Sequence, residues 1–393
     1  MWVLRGPTRE RIELSSKPLH QGGEGALYSI ARYPNEIAKV MFKPSSTLML
    51  KLDALRLTLP SQSSSYLFTR PLDVLFSEKD STKCIGYVMP HCTTFQALYL
   101  FLRGTRSGHV SARDVLEFSR HVSEAFAAAH RVGVVIGDVN ESNVGLTTNT
   151  QAVLLDTDSY QIQTNGRVFR CPVGRPEFTP PELQGKKFKD VDRTASSDAF
   201  GLGVILFELF MQGAHPFAAL YSGSGNPLPL AKRIKHGLFP HSVNGVPKYH
   251  PPKNLVRFTD LPHRIQDLFH DCFEAGHRDP NLRPSADEWL SELSRLTPQD
   301  LLRKSQTSTP SHGKRNYLTT LRSSFRIERL RNYRTRTKVA LIAAPAILCG
   351  TYSFGSYLLA ADSDESPRSV PGHVGKETPK HWVELSNELQ GNP

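Results

Sequence analysis

Two aspartates and an asparagine have the types and spacing for phosphate chemistry. Asp138 lies in Ile136-Gly137-Asp138-Val139-Asn140-Glu141-Ser142-Asn143, and Asp156 in Leu154-Leu155-Asp156-Thr157-Asp158. Asn143 follows Asp138 by five residues and Asp156 follows it by eighteen. One carboxylate to orient a nucleophile, with a second carboxylate and an amide to hold magnesium, is what phosphoryl transfer from ATP needs. Upstream, Leu19-His20-Gln21-Gly22-Gly23-Glu24-Gly25-Ala26-Leu27-Tyr28 reads as a strand, a Gly-rich turn and a second strand. Backbone that folds over phosphates must bring its N–H groups close, and a Cβ at those positions obstructs the approach. Alone, such a run also describes an ordinary hairpin turn. Fourteen residues beyond Gly25, Ile37-Ala38-Lys39-Val40 is an apolar strand interrupted by one lysine. By itself that lysine reads as solvent-facing.

In this order the segments resemble the protein kinases, whose motifs read H-R-D-L-x-x-x-N and D-F-G. Gly22 and Gly25 match the second and third glycines of the kinase loop, with His20 where the first would be, and Lys39 matches the kinase lysine. Downstream, Gly174-Arg175-Pro176-Glu177-Phe178-Thr179-Pro180-Pro181-Glu182 resembles the end of an activation segment. Ser197–Leu209 resembles the buried helix whose Asp, here Asp198, anchors the catalytic loop. Arg283 matches the arginine that pairs with the segment-ending glutamate, here Glu182. Six blocks in the right order over roughly residues 14–295 carry the resemblance.

The resemblance implies an α+β, bilobal protein kinase-like fold with a β-rich small lobe and a helical large lobe. It implies ATP with Mg²⁺ (or Mn²⁺) as cofactors, and a protein substrate with a Ser/Thr hydroxyl. Asp138 would orient that hydroxyl, and Asn143 and Asp156 would hold the metal. Lys39 would fix the α- and β-phosphates, and Gly22, Gly23 and Gly25 would cover them. The backbone of Met89-Pro90-His91 would meet the adenine edge.

Several letters depart from the family. The helix glutamate that holds the strand lysine has no match: between Val40 and Leu72 the only carboxylate is Asp53, one methylene shorter. Ile136-Gly137 replaces His-Arg, so no arginine precedes Asp138 to receive a phosphorylated loop. Asn140 stands where serine/threonine kinases have a lysine, and Arg175 is a candidate replacement cation. Asp158 reads as a turn-capping residue, with an extra metal ligand as the alternative. These departures support a second reading, a pseudokinase acting as a nucleotide-binding scaffold.

Composition adds a membrane theme. The 393 residues carry a net charge of +11, and 39% are hydrophobic, ordinary for a globular enzyme. Five cysteines without a Cys-x-x-Cys pair read as reduced thiols, and the fifteen histidines show no clustering suited to a transition-metal site. Residues 339–361 form an uncharged run of 23 residues, long enough for a transmembrane helix. A buried helix of a soluble domain is the alternative. Residues 313–338 carry a net +8 and residues 362–393 a net −3. The positive-inside bias then puts the kinase-like part in the cytoplasm and the tail outside, in a single-pass protein of the cell membrane. The basic stretch would lie against anionic headgroups. Nucleic acid is not expected, because the basic residues abut the span instead of interleaving with a folded reading surface.

The expected organisation is a small lobe over residues 14–90 and a large lobe over 91–300. A polar then basic linker over 301–338, the transmembrane helix 339–361 and a short extracytoplasmic tail 362–393 follow. Leucines at helical spacing predict one small-lobe helix over Thr47–Leu59. Ser111–Arg131 reads as an amphipathic helix with Ser111 as N-cap, Asp198–Met211 as a core helix, and Asp287–Leu296 as the helix that closes the lobe.

Overall fold

The computed structural model describes residues 1–60, 62–252 and 256–302. Most of the basic linker, the apolar run 339–361 and the tail lie outside the described residues. Among the described residues no helix is long and apolar enough to cross a membrane.

The small lobe is a seven-stranded antiparallel sheet. Its strands are β1 (Trp2–Arg5), β2 (Glu10–Glu13), β3 (His20–Gln21), β4 (Gly25–Ser29), β5 (Glu36–Met41), β7 (Asp73–Ser77) and β8 (Cys84–Pro90), in the order β2-β1-β7-β8-β5-β4-β3. The sheet thus starts well before residue 14. The first hairpin joins its edge through β1, with Val3 opposite Ile12 and Ser77. The period-2 alternation of a strand sorts side chains onto two faces. Val3, Ile12, Leu14, Ile30, Ala38, Leu75 and Val88 pack on one. Ile37, Val74, Phe76, Tyr87 and Met89 pack on the other, against Leu48 and Leu52 of helix α1 (Leu48–Thr58). Lys39 is two residues from Ile37 and therefore shares the α1 face. Its cross-strand partners are Leu27 and Tyr87.

The large lobe is helical. Helix α2 (Leu98–Ser107) is followed by α3 (Ala112–Arg131), and Ser111 caps α3 in a capping box with Asp114. Such a cap contributes about 1 kcal/mol. Helix α4 (Ala195–Phe210) is apolar on nearly every side and buried through most of its length, as an all-round hydrophobic helix must be. Its Phe200 and Phe207 pack with Phe217, Phe239, Phe269 and Phe273, and with Trp289 of the closing helix Ala286–Arg295.

Between the lobes a four-stranded sheet has the order β6-β11-β10-β9, formed by β6 (Tyr66–Phe68), β9 (Gln96–Ala97), β10 (Val144–Leu146) and β11 (Ala152–Leu154). The β10–β11 hairpin folds the chain back between the two candidate acids. The Leu155 N–H donates to the Asn143 carbonyl at 2.8 Å, so residues twelve apart in sequence stand side by side. A second hairpin, β12 (Ile162–Thr164) and β13 (Arg167–Phe169), turns through Asn165 and Gly166, both in the left-handed region.

Candidate active site

The catalytic loop is held from below by one carboxylate. Asp198, 1% exposed, accepts hydrogen bonds from the Ile136 N–H at 2.7 Å and the Gly137 N–H at 2.9 Å. His130 Nε2 approaches the same carboxylate at 3.1 Å. Gly137 has φ +75°, and a Cβ there would strike the Cys171 side chain. This position therefore calls for glycine, which explains the arginine's absence before Asp138.

Above this anchor the loop presents Asp138 and Asn143. Asn143 donates both amide hydrogen bonds to Asp138, to Oδ2 at 3.0 Å and to the carbonyl at 3.1 Å. That use of Nδ2 fixes the amide's orientation and leaves its Oδ1 as the atom free to meet a cation. Asp138 Oδ1 is buried and accepts no hydrogen bond. A buried, unpartnered carboxylate oxygen costs free energy unless a ligand hydroxyl completes it. Arg175 donates to Ser142 Oγ at 2.9 Å, which brings its guanidinium to the catalytic loop.

Asp156 has φ +56°, a left-handed conformation more accessible to Asp than to most residues. It begins a single 3₁₀ turn, Thr157–Ser159. Lys39 Nζ donates to Asp156 Oδ1 at 2.6 Å and to both oxygens of Asp158, at 2.7 and 2.8 Å. The Tyr87 hydroxyl donates to Asp158 Oδ1 at 2.6 Å. The lysine is therefore buried at the site, unlike a strand lysine taken alone. Asp158 is not a turn cap, because the bonds of that turn come from the Ser159 and Tyr160 N–H groups to the Asp156 and Thr157 carbonyls. Asp53 does not reach Lys39 either. It faces outward on α1 and accepts from Arg56 Nε at 3.2 Å.

The electrostatics follow from this crowding. Burial and the charge of Asp158 push the Asp156 carboxyl up to about 6. Burial opposes ionisation of Asp158 too, but Lys39 and the Tyr87 hydroxyl hold it below the usual carboxylate range. Burial works against the Lys39 charge, yet two carboxylates outweigh it and raise the ammonium pKa. Lys51, on the inner side of α1, has its pKa lowered by burial.

The remaining candidates divide. Gly23 has open space around it, while the Gly22 N–H closes the turn on the Gly25 carbonyl at 2.9 Å. Gly25 is required by the sheet, because its Cβ would lie 2.5 Å from the Val40 carbonyl oxygen. At the hinge, Met89 turns its side chain into the small-lobe core, and the His91 N–H is taken by the Asn35 carbonyl at 2.8 Å. Of the His91 backbone only the carbonyl is left for an adenine edge, a narrower role than expected. Among the described residues no group of three His, Cys, Asp or Glu could hold a metal. The Asn143–Asp156 pair still suits magnesium, which commonly takes one or two protein carboxylates plus substrate phosphates. Arg283 and Glu182 form a bidentate pair at 2.8 and 2.7 Å that closes the activation segment onto the lobe.

Comparison with known proteins agrees with this architecture. The protein kinase domain family matches residues 75–293. The chain is 31% identical over 293 residues to Protein kinase YegI of Escherichia coli O157:H7, covering 72% of this chain and 44% of that protein. It is thus similar to a protein of which it spans less than half the length. It is 28% identical over 130 residues to the probable serine/threonine-protein kinase irlD of Dictyostelium discoideum, covering 32% of this chain and 8% of that protein. It is 25% identical over 257 residues to the putative serine/threonine-protein kinase VPS15 of Komagataella pastoris, covering 60% and 18%. With the family match over more than half its length, on a two-lobed fold that seats every block of the site in order, the chain belongs to the protein kinase domain family.

Proposed function

We propose that this chain is a membrane-anchored, ATP-dependent protein kinase that moves the γ-phosphoryl group of ATP to a serine or threonine hydroxyl. The observation that carries the catalytic part is Asp138. Its Oδ2 is fixed by Asn143 and its Oδ1 is buried without a partner, so one oxygen is held in place and the other is ready for a hydroxyl proton. Asn143 Oδ1 and Asp156 would hold magnesium, which when bound screens the charge on the transferring phosphoryl group. Lys39 supplies a buried cation for the α- and β-phosphates. Arg175 stands beside the catalytic loop in the neighbourhood vacated by the lysine that Asn140 replaces. Serine or threonine specificity is drawn from the printed names of irlD and VPS15.

The rival reading, a nucleotide-binding scaffold, drew on the missing helix glutamate. Lys39 is nevertheless paired with two carboxylates, which removes much of that support. Turnover of [γ-³²P]ATP with Mg²⁺ or Mn²⁺ separates the two. Asp138→Asn and Asp156→Asn should each lower transfer by about 10²-fold or more. Equal label in all three proteins would leave the scaffold.

The anchor rests on the uncharged run 339–361 and the net +8 of residues 313–338, which argue for a cytoplasmic kinase domain at an anionic bilayer surface. Deleting residues 337–361 should move the protein to the soluble fraction. Sedimentation with membranes after an alkaline wash, despite the deletion, would remove the anchor from the proposal.

A further inference from the structure

We propose that Asp158 is the positioning residue for Lys39, holding its ammonium toward the phosphate site in place of a carboxylate on helix α1. This rests on the kinase reading and concerns how its site is assembled. Lys39 and Tyr87 are cross-strand partners on β5 and β8, so the sheet register points both at the same spot. At that spot lies Asp158, with both oxygens on Lys39 and one also on Tyr87. Helix α1 offers no competitor. Its only carboxylate, Asp53, is engaged by Arg56, and the residue it brings toward Asp156 and Asp158 is a second cation, Lys51.

The two carboxylates on Lys39 are not equivalent. The Asp156 side chain is 33% exposed, whereas that of Asp158 is 3% exposed and sealed under Tyr87. Asp156 can turn to a cation from the solvent side. Asp158 cannot do so without breaking three bonds and leaving the buried Lys39 on Asp156 alone. When Asp156 engages a metal, Asp158 is the carboxylate that keeps the lysine in place. The lysine's anchor and the metal ligand thus come from one turn, Asp156–Ser159, and the site closes without any contribution from the α1 backbone position.

The test uses the full chain and compares Asp158→Asn, Asp156→Asn and Tyr87→Phe. ADP affinity is measured by calorimetry with and without Mg²⁺, beside kcat and the KM for ATP. Asp158→Asn should lower kcat by about 10²-fold while ADP affinity stays within about threefold, the split expected of a residue that orients another. It should keep the gain in ADP affinity that Mg²⁺ brings, and Asp156→Asn should lose it. Tyr87→Phe should lower kcat by about three- to tenfold, and should add nothing in the Asp158→Asn background because it acts through Asp158. The proposal is overturned if Asp158→Asn keeps kcat within about threefold. It is also overturned if Asp158→Asn loses the Mg²⁺ gain as Asp156→Asn does, or if Tyr87→Phe costs the same in both backgrounds. Should a melting curve show Asp158→Asn unfolded, Tyr87→Phe decides alone, and an unchanged kcat overturns the assignment. An unaltered chain that binds MgADP but transfers nothing would sink the kinase reading instead. The Mg²⁺ comparison would still test the division of labour between the two aspartates.

Discussion

In the large lobe the catalytic loop is fixed through its backbone, by Asp198 reaching up from helix α4 to two N–H groups. In the small lobe Lys39 is fixed through its side chain, by two aspartates from the metal-side loop, while the nearest helix contributes none. The first arrangement asks for backbone N–H groups, which every residue but proline carries, at a turn that Gly137 is needed to make. The second depends on three particular side chains and on the closeness of the lobes. A backbone-held loop keeps its anchor with Gly137 where the family has arginine. A side-chain-held lysine tolerates the loss of a helix glutamate only because another acid has moved in.

The largest expected effect tests the backbone anchor. Asp198→Ala leaves the Ile136 and Gly137 N–H groups without their acceptor and should cost about 3–5 kcal/mol of stability, with transfer lost in step. Denaturant unfolding measures it. A cost below about 1 kcal/mol would mean that the loop holds its own shape.

An intermediate effect lies in the aromatic frame behind that anchor. His241 packs against Phe258 at 4.9 Å and near Phe239 and Phe207. Burial, with His270 nearby, brings its pKa down to about 4. Between the ordinary histidine value and about 4 the unfolded chain binds the extra proton, so stability should fall as the pH drops through that window. The loss should be on the order of 2 kcal/mol, and His241→Phe should flatten it. Melting curves at pH 7.5 and 5 compare the two proteins. Parallel losses would place the acid sensitivity elsewhere.

The smallest effect sharpens the contrast on the lysine's side. Asp53→Ala removes only a part-exposed pair within one helix and should cost less than about 0.5 kcal/mol, with kcat within about twofold. A loss as deep as that expected for Asp158→Asn would return the lysine's anchor to helix α1.

Much of this was legible from the residues. The α1, α3 and α4 segments were recognisable because leucine spacing, an N-cap serine and an uninterrupted apolar stretch are local signals. The pairings Asp198 to the catalytic loop and Glu182 to Arg283 were legible through the resemblance, since their positions in the order of blocks survive. The Asn165-Gly166 turn carried a strong hairpin signal that went unread. The first hairpin of the sheet is not legible because β1 and β2 have four residues each, too short for a pattern of their own. The place of Lys39 at the phosphate site is legible only through the resemblance, since a strand lysine taken alone is usually solvent-facing. The role of Asp158 was invisible for a different reason. A turn cap, a metal ligand and a lysine partner all call for the same carboxylate, and nothing local distinguishes them.

Sequence alone determined the chemistry available: three acids, an amide and a strand lysine, in an order that a two-lobed kinase fold can use. It also determined which strand face Lys39 occupies, because alternation is a property of the chain itself. Which acid meets that lysine was decided only by the tertiary structure. Partners 117 and 119 residues apart come together through the packing of two lobes, and side-chain geometry at that distance is set by the fold as a whole.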